Sequence, residues 1–190
     1  RKGALSGSFG FQGSYRDYVA RGEEALTPPV VSKSFALFAL EEMDFKKARL
    51  QFGGRVEHTR YSPEGLQDRS FTGFSGAAGV HLPLWKGGAF VANYTRAHRA
   101  PALEELYSDG PHIGNLAYEI GDPGLRREAA NGIDLLLRHE TERVHAELSF
   151  FHYRLSDFVY MAFTGEEAHG LRVAEYAQAN ARFTGGEATL

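Results

Sequence analysis

Along most of this chain apolar and polar residues trade places every second position, the period of an extended strand rather than the 3.6-residue period of a helix. Between Lys2 and Tyr18, Leu5, Gly7, Phe9, Phe11, Gly13 and Tyr15 fall on one face, and Ser6, Ser8, Gly10, Gln12, Ser14 and Arg16 on the other. From Arg49 to Tyr61 the same alternation sets Leu50, Phe52, Gly54 and Val56 against Arg49, Gln51, Arg55 and Glu57. It recurs over Ser70–Leu82, Phe90–Thr95, Asn131–His139, Val144–Tyr160 and Val173–Leu190, so Leu135 and Leu148 share the apolar side while Asp134 and Glu147 share the polar one. The segment Ser32–Glu41 is apolar on both faces, and its orientation stays open. Eight antiparallel strands are expected. Alternation alone fits two settings: a soluble sandwich, whose polar face meets solvent, and a membrane barrel, whose polar face meets an enclosed lumen.

The connections favour the second. Short turns at Met43–Lys47, Leu84–Gly88 and His139–Glu142 lie on one side, and longer polar stretches at 21–29, 62–68, 100–127 and 164–172 lie on the other. Long loops at one end only is the asymmetry of outer-membrane barrels. The longest connection has internal order. Pro101 ends the strand before it, because proline has no N–H for a ladder and holds Ala100 extended. The run Ala102–Tyr107 then predicts one helical turn, with proline at its start and acids in its first turn. Asp109-Gly110-Pro111 and Asp122-Pro123-Gly124 are turn sequences.

Arg99-Ala100-Pro101, Leu103, Glu105-Leu106-Tyr107 and then Gly121-Asp122-Pro123-x-Leu125-x-x-Glu128 together resemble the signature of TonB-dependent outer-membrane receptors. The resemblance continues through Leu155–Tyr160 and through Gln178–Glu187, in family order and at family spacing over roughly the last hundred residues. It departs at Arg126-Arg127, where the family commonly has Lys-Pro, and at Gly186, where valine or isoleucine is usual. The resemblance implies an all-β fold: part of a transmembrane antiparallel up-and-down β-barrel, with residues 1–190 a partial barrel of about eight strands out of about 22. On that reading the plug domain and the remaining strands lie outside this sequence. It implies a receptor rather than an enzyme. Arg99, Pro101, Glu105, Leu106, Tyr107, Gly121, Asp122, Pro123 and Glu128 would then be structural motif residues. It also implies a TonB complex acting through the plug, outer-membrane lipid around the wall, and a transported metal or metal chelate as cargo, with no resident cofactor.

Composition agrees with strands. Aromatic residues reach 13%, there are 22 glycines and only 7 prolines, and no apolar run approaches the roughly 20 residues of a membrane helix. The absence of cysteine excludes thiolate metal sites and disulfides. A net charge of -3 argues against a nucleic-acid surface, which needs a basic excess on one face. The lone tryptophan, Trp85, suits an interfacial anchor.

Among eight histidines, His112 draws attention because Asp109-Gly110-Pro111-His112-Ile113 is similar to a loop of the zinc-responsive branch of the receptor family. The substrate-binding candidates are Asp109, His112, Glu119 and Asp122, with Asp109 and His112 as metal ligands and His98 as a further donor; imidazole and carboxylate suit zinc, iron or copper. A solvated-loop reading competes, since no HxH or HxxxH spacing occurs there. Glu104-Glu105 point apart on a helical turn and suit its start better than acid/base work. No nucleophile elbow, ordered triad or phosphate loop is present. Cargo uptake is therefore the expected function, and a passive porin or a soluble β-sandwich binding module are the alternatives.

Overall fold

An alternating strand hides its backbone only by finding neighbours, so the ladder registers decide the architecture. The structure, a computed structural model, describes residues 5–22 and 25–190; the expected strand start at Lys2 and the loop residues Glu23 and Glu24 lie outside them. In chain order come β1 (Leu5–Tyr18), β2 (Val30–Phe45), β3 (Ala48–Pro63), β4 (Arg69–Trp85) and β5 (Gly88–Arg99). The excursion follows, with α1 (Leu103–Tyr107), β6 (Asp109–His112), a 3-10 turn at Ile113–Asn115 and β7 (Ala117–Ile120). The chain then resumes as β8 (Glu128–Glu140), β9 (His145–Ala168) and β10 (Leu171–Thr189). All ten described strands belong to one sheet in the order β1-β2-β3-β4-β5-β8-β9-β10-β7-β6. Its ladders are antiparallel save the one joining β10 to β7, which is parallel.

Directly paired residues share a face, so register sorts every side chain. Phe11 opposes Leu37, Leu37 opposes Val56, and Val56 opposes Phe74. That outer face is greasy and bare: Phe9 is 88% and Leu148 57% exposed. The reverse face carries Gln12, Glu57, Arg55, Asn93 and Asp134. It is concave, because Arg55 Nη2 reaches 3.1 Å across β2 to Gln12 Oε1, sealing Ala36 beneath it to 1% exposure. The same registers resolve β2, placing Phe35 and Leu37 outward and Ala36 and Phe38 inward.

Four expectations change. The described strands number ten, not eight. Asp109-Gly110-Pro111 is not a turn but β6, since β7 supplies the ladder that its sequence does not advertise. The polar stretch 164–172 is not a loop: β9 runs on to Ala168 and returns through His169-Gly170, with Gly170 taking the positive φ of 76° that so tight a reversal needs. The connection between β3 and β4 shrinks to residues 64–68. The asymmetry of the two ends therefore rests on the connections 19–29 and 100–127, against turns at 46–47, 86–87 and 141–144. Trp85 sits beside one of those turns and donates through Nε1 to His139 Nδ1 at 3.0 Å.

The closely packed core is small and lies at the upper end, opposite the short turns. Val30, Phe71, Leu103, Leu106, Tyr107, Leu125 and Val159 form it, with Tyr18, Tyr61, Ala100 and Tyr176 against its rim. Val30, Tyr61 and Phe71 come from the concave face. The excursion therefore folds inward over that face as a roof.

Candidate substrate-capture site

The roof is tied down by a clasp. Arg99, the last residue of β5, faces Glu128, the first of β8, across the ladder. Its Nε donates to Glu128 at 2.6 Å, while Nη1 and Nη2 donate to Glu105 at 2.9 and 3.1 Å. Glu105 also accepts from the Ala102 N–H at 2.7 Å, capping α1. Glu128 accepts from the Val159 N–H at 2.5 Å. Burial pushes the Glu128 carboxyl up, but the bonds from Arg99 and Val159 outweigh it and hold the group below the usual carboxylate range. The Arg99 guanidinium is raised, first by its hydrogen bond to Glu128.

Gly121 closes the clasp by contact. A Cβ there would stand 2.6 Å from Tyr107 N and 2.7 Å from Ser108 N, so only glycine lets the returning chain lie against the end of α1. The Gly121 N–H donates to Ser108 O at 2.7 Å and the Asp122 N–H to Glu105 O at 2.9 Å. Asp122 Oδ1 then accepts from the Gly124 N–H at 2.6 Å and makes the turn that Pro123 and Gly124 predict. Arg99, Pro101, Glu105, Leu106, Tyr107, Gly121, Asp122, Pro123 and Glu128 thus meet in one structural unit, with Leu106 wholly buried.

The hairpin of β6 and β7 extends the roof sideways. β7 pairs with β10 from Ala117↔Arg172 to Ile120↔Glu175. On the far side, the Asp109 N–H donates 2.7 Å to Leu26 O in the first connection. The hairpin therefore straps β10 to the loop after β1. At its centre Glu119, 1% exposed, accepts from Asn115 at 2.6 Å, His112 Nδ1 at 2.7 Å and the Tyr176 hydroxyl at 2.8 Å. Burial alone would raise its carboxyl; the bonds from Asn115, Tyr176 and His112 leave it lowered. The Tyr176 hydroxyl is pushed up by burial and by the same carboxylate.

Of the sequence-derived candidates, His112 and Glu119 come together. Asp109 does not join them: three residues apart on one strand puts it and His112 on opposite faces, and Asp109 accepts from the Tyr118 hydroxyl at 3.0 Å. Asp122 is spent on its own turn. His98 bonds the Phe74 carbonyl and the Ser75 hydroxyl on the wall. Among the described residues, no three His, Asp or Glu side chains converge as a metal cage. Asn115 and Tyr176 are new members. Their sequence signals, an asparagine in a turn and a tyrosine in a strand, mark no chemistry until the 3-10 turn sets Asn115 against Glu119 and the parallel pairing of β7 with β10 brings in Tyr176.

Below the roof, a cavity of about 270 Å³ is walled by Glu57, Tyr61, Phe71, His98, Arg99 and Arg127. Arg127 binds only a backbone carbonyl, Thr72 O at 2.7 Å, among the described residues. Lower on the concave face runs an open groove of about 530 Å³ whose lining includes Gln51, Arg55, Ser75, Asn93 and Asp134. Among the described residues no helix is long and apolar enough to cross a membrane, which says nothing against crossing by strands.

The fold has solved counterparts. One is a double mutant of the Serratia marcescens hemophore receptor HasR, in complex with its hemophore HasA and heme, which matches 97% of this chain at 16% identity and a TM-score of 0.73, over 38% of its own length. The copper transporter OprC matches 84% at 18% identity and a TM-score of 0.70, over 26% of its length. The FrpB iron transporter from Neisseria meningitidis matches 85% at 18% identity and a TM-score of 0.61, over 24% of its length. The chain thus spans from about a quarter to about two fifths of these structures. Residues 2–190 match the family model of the TonB dependent receptor-like beta-barrel. On that match the chain belongs to the TonB-dependent receptor β-barrel family of the Gram-negative outer membrane.

Proposed function

We propose that this chain is a wall segment, with its roof, of a receptor that captures a metal ion or metal chelate at the cell surface and passes it inward through the barrel. The rest of the barrel and a plug domain complete the passage, and energy delivered through TonB shifts the plug from closed to open. No covalent bond is made or broken in that cycle. Copper, iron and heme appear with the structural counterparts, and these lend the cargo class its support.

One observation carries the metal reading. His112 has its Nδ1 committed to the buried Glu119, while its side chain remains 43% exposed. A carboxylate holding one ring nitrogen orients the other toward a metal, the arrangement found behind metal-ligating histidines. His112 would therefore be the point of first contact, and Glu119, Asn115 and Tyr176 the groups that aim it. Asp109 and Asp122 are proposed to line the approach. The cavity with Arg127 on its wall favours a second cargo form, an anionic chelate, which a guanidinium would meet through paired hydrogen bonds.

Calorimetric titration of the full receptor with zinc, a ferric siderophore, haem and cobalamin separates these cargoes. His112→Ala is expected to weaken the preferred metal at least about tenfold. Unchanged affinity for every metal form would end the role of His112.

A further inference from the structure

The outer face carries a feature that neither cargo capture nor the apolar belt uses. Arg96 pairs with Asn131, Asn131 with Arg154, and Arg154 with Arg182, so four adjacent strands (β5, β8, β9 and β10) present one cross-strand row. Each member shares the face of the lipid-side residues Tyr94, Ile133 and Phe150 by strand alternation. All three arginines are exposed. Arg96 and Arg154, on strands flanked on both sides, have no carboxylate within salt-bridge distance among the described residues. Arg96 has only the Asn131 amide oxygen at 3.4 Å, and Arg154 only His152 Nε2 at 3.4 Å.

Like charges directly opposite on neighbouring strands repel, and Arg154 faces Arg182 directly. Other outward cations of this sheet are satisfied: Arg60 pairs with Asp68 at 2.6 Å, and Lys33 Nζ lies 5.8 Å from the Tyr15 ring. Height matters as well. Arg96 stands eight residues above Gly88, beside the lower turn; at about 3.3 Å per residue and a tilt of about 40°, that is about 20 Å. An apolar belt is about 25 Å tall, so Arg96 lies in its upper fifth, from where a long guanidinium side chain reaches the headgroups of the outer leaflet.

We infer that Arg96, Arg154 and Arg182 form a binding site for the phosphate groups of a phosphorylated lipid in the outer leaflet. Guanidinium matches phosphate with paired, charge-assisted hydrogen bonds. An anion bridging Arg154 and Arg182 turns their repulsion into a shared contact, and the apolar rows below would pack its acyl chains. The site is independent of which cargo the receptor carries.

The test uses the full-length receptor purified in detergent. Retention of diphosphoryl lipid A, of the same lipid with its phosphates removed, and of inorganic phosphate is read by native mass spectrometry. Replacing Arg96, Arg154 and Arg182 together with glutamine should weaken diphosphoryl lipid A about a hundredfold, at about a factor of five for each charge. The matching lysine triple should keep most of the affinity, and cargo binding should be unchanged in both. Heat-modifiable gel mobility reports that each barrel is folded; should the glutamine triple fail to fold, Arg182→Gln alone should lose about fivefold. Equal retention by parent and variant, equal retention of the phosphate-free lipid, or inorganic phosphate bound as well as the lipid would each overturn the site.

Discussion

The wall and the roof of this molecule are held together differently. In the wall, side chains hardly bury one another: Phe11 is 75% exposed, Phe74 61% and Leu148 57%, yet the backbone is paired along nearly its whole length. In the roof, a few residues do what a globular core does. Leu103, Leu106, Tyr107 and Leu125 are each at most 3% exposed, and Arg99 locks them down through Glu105 and Glu128. The wall is built to have hydrocarbon complete its packing, since only closed ladders satisfy the backbone in lipid. The roof is built for water and must supply its own packing. A substitution should therefore be read by which solvent its region expects.

The roof offers the largest effect. Leu106→Ala empties a fully buried site and should cost the roof about 2–5 kcal/mol. Hydrogen exchange would show faster amides across residues 100–127 with the wall unchanged; equal acceleration in both would mean that roof and wall open as one unit. Next comes the wall. Leu148→Arg places a charge on the lipid face and should cost about 2–4 kcal/mol in a bilayer if the position is near the midplane. Unfolding titrations in vesicles check it, and a neutral result would show that the convex face does not meet hydrocarbon.

The smallest effect is on pH. Glu119 is held below its ordinary carboxylate range in the fold, so its contribution is complete above the unfolded value and drains away as pH falls through the folded one. Protection of the β6–β7 hairpin amides should accordingly fade as pH drops below about 4, while the wall ladders keep theirs. Glu119→Gln should flatten that dependence, and an unaltered profile would remove the carboxylate from the hairpin's stability.

Much of the wall was legible because its signal is local. Leu50, Phe52, Leu135 and Leu148 announce the outward face by period alone, and the registers agree. The motif residues were legible as a set, though what they do was not: Arg99 and Glu128 are separated by the whole excursion and meet only because β5 and β8 are neighbours in the sheet. The stretch 164–172 misled because its alternation is polar on both faces, while its strand character comes from the ladder between β9 and β10. The pairing of His112 with Glu119 was half visible, and the displaced Asp109 follows from strand alternation once β6 is known to be a strand.

The order of residues along the chain was sufficient to settle that it forms strands, which sides of most of them are apolar, and which family they belong to. The first two depend on neighbours one or two positions away, and the third on short motifs kept in order along the chain. Tertiary structure alone decided the fold of the excursion over the concave face, the strap from β10 to the first connection, the burial of Glu119 and the arginine row on the lipid side. Each of those requires residues tens of positions apart to share a strand register, and register is a property of the assembled sheet.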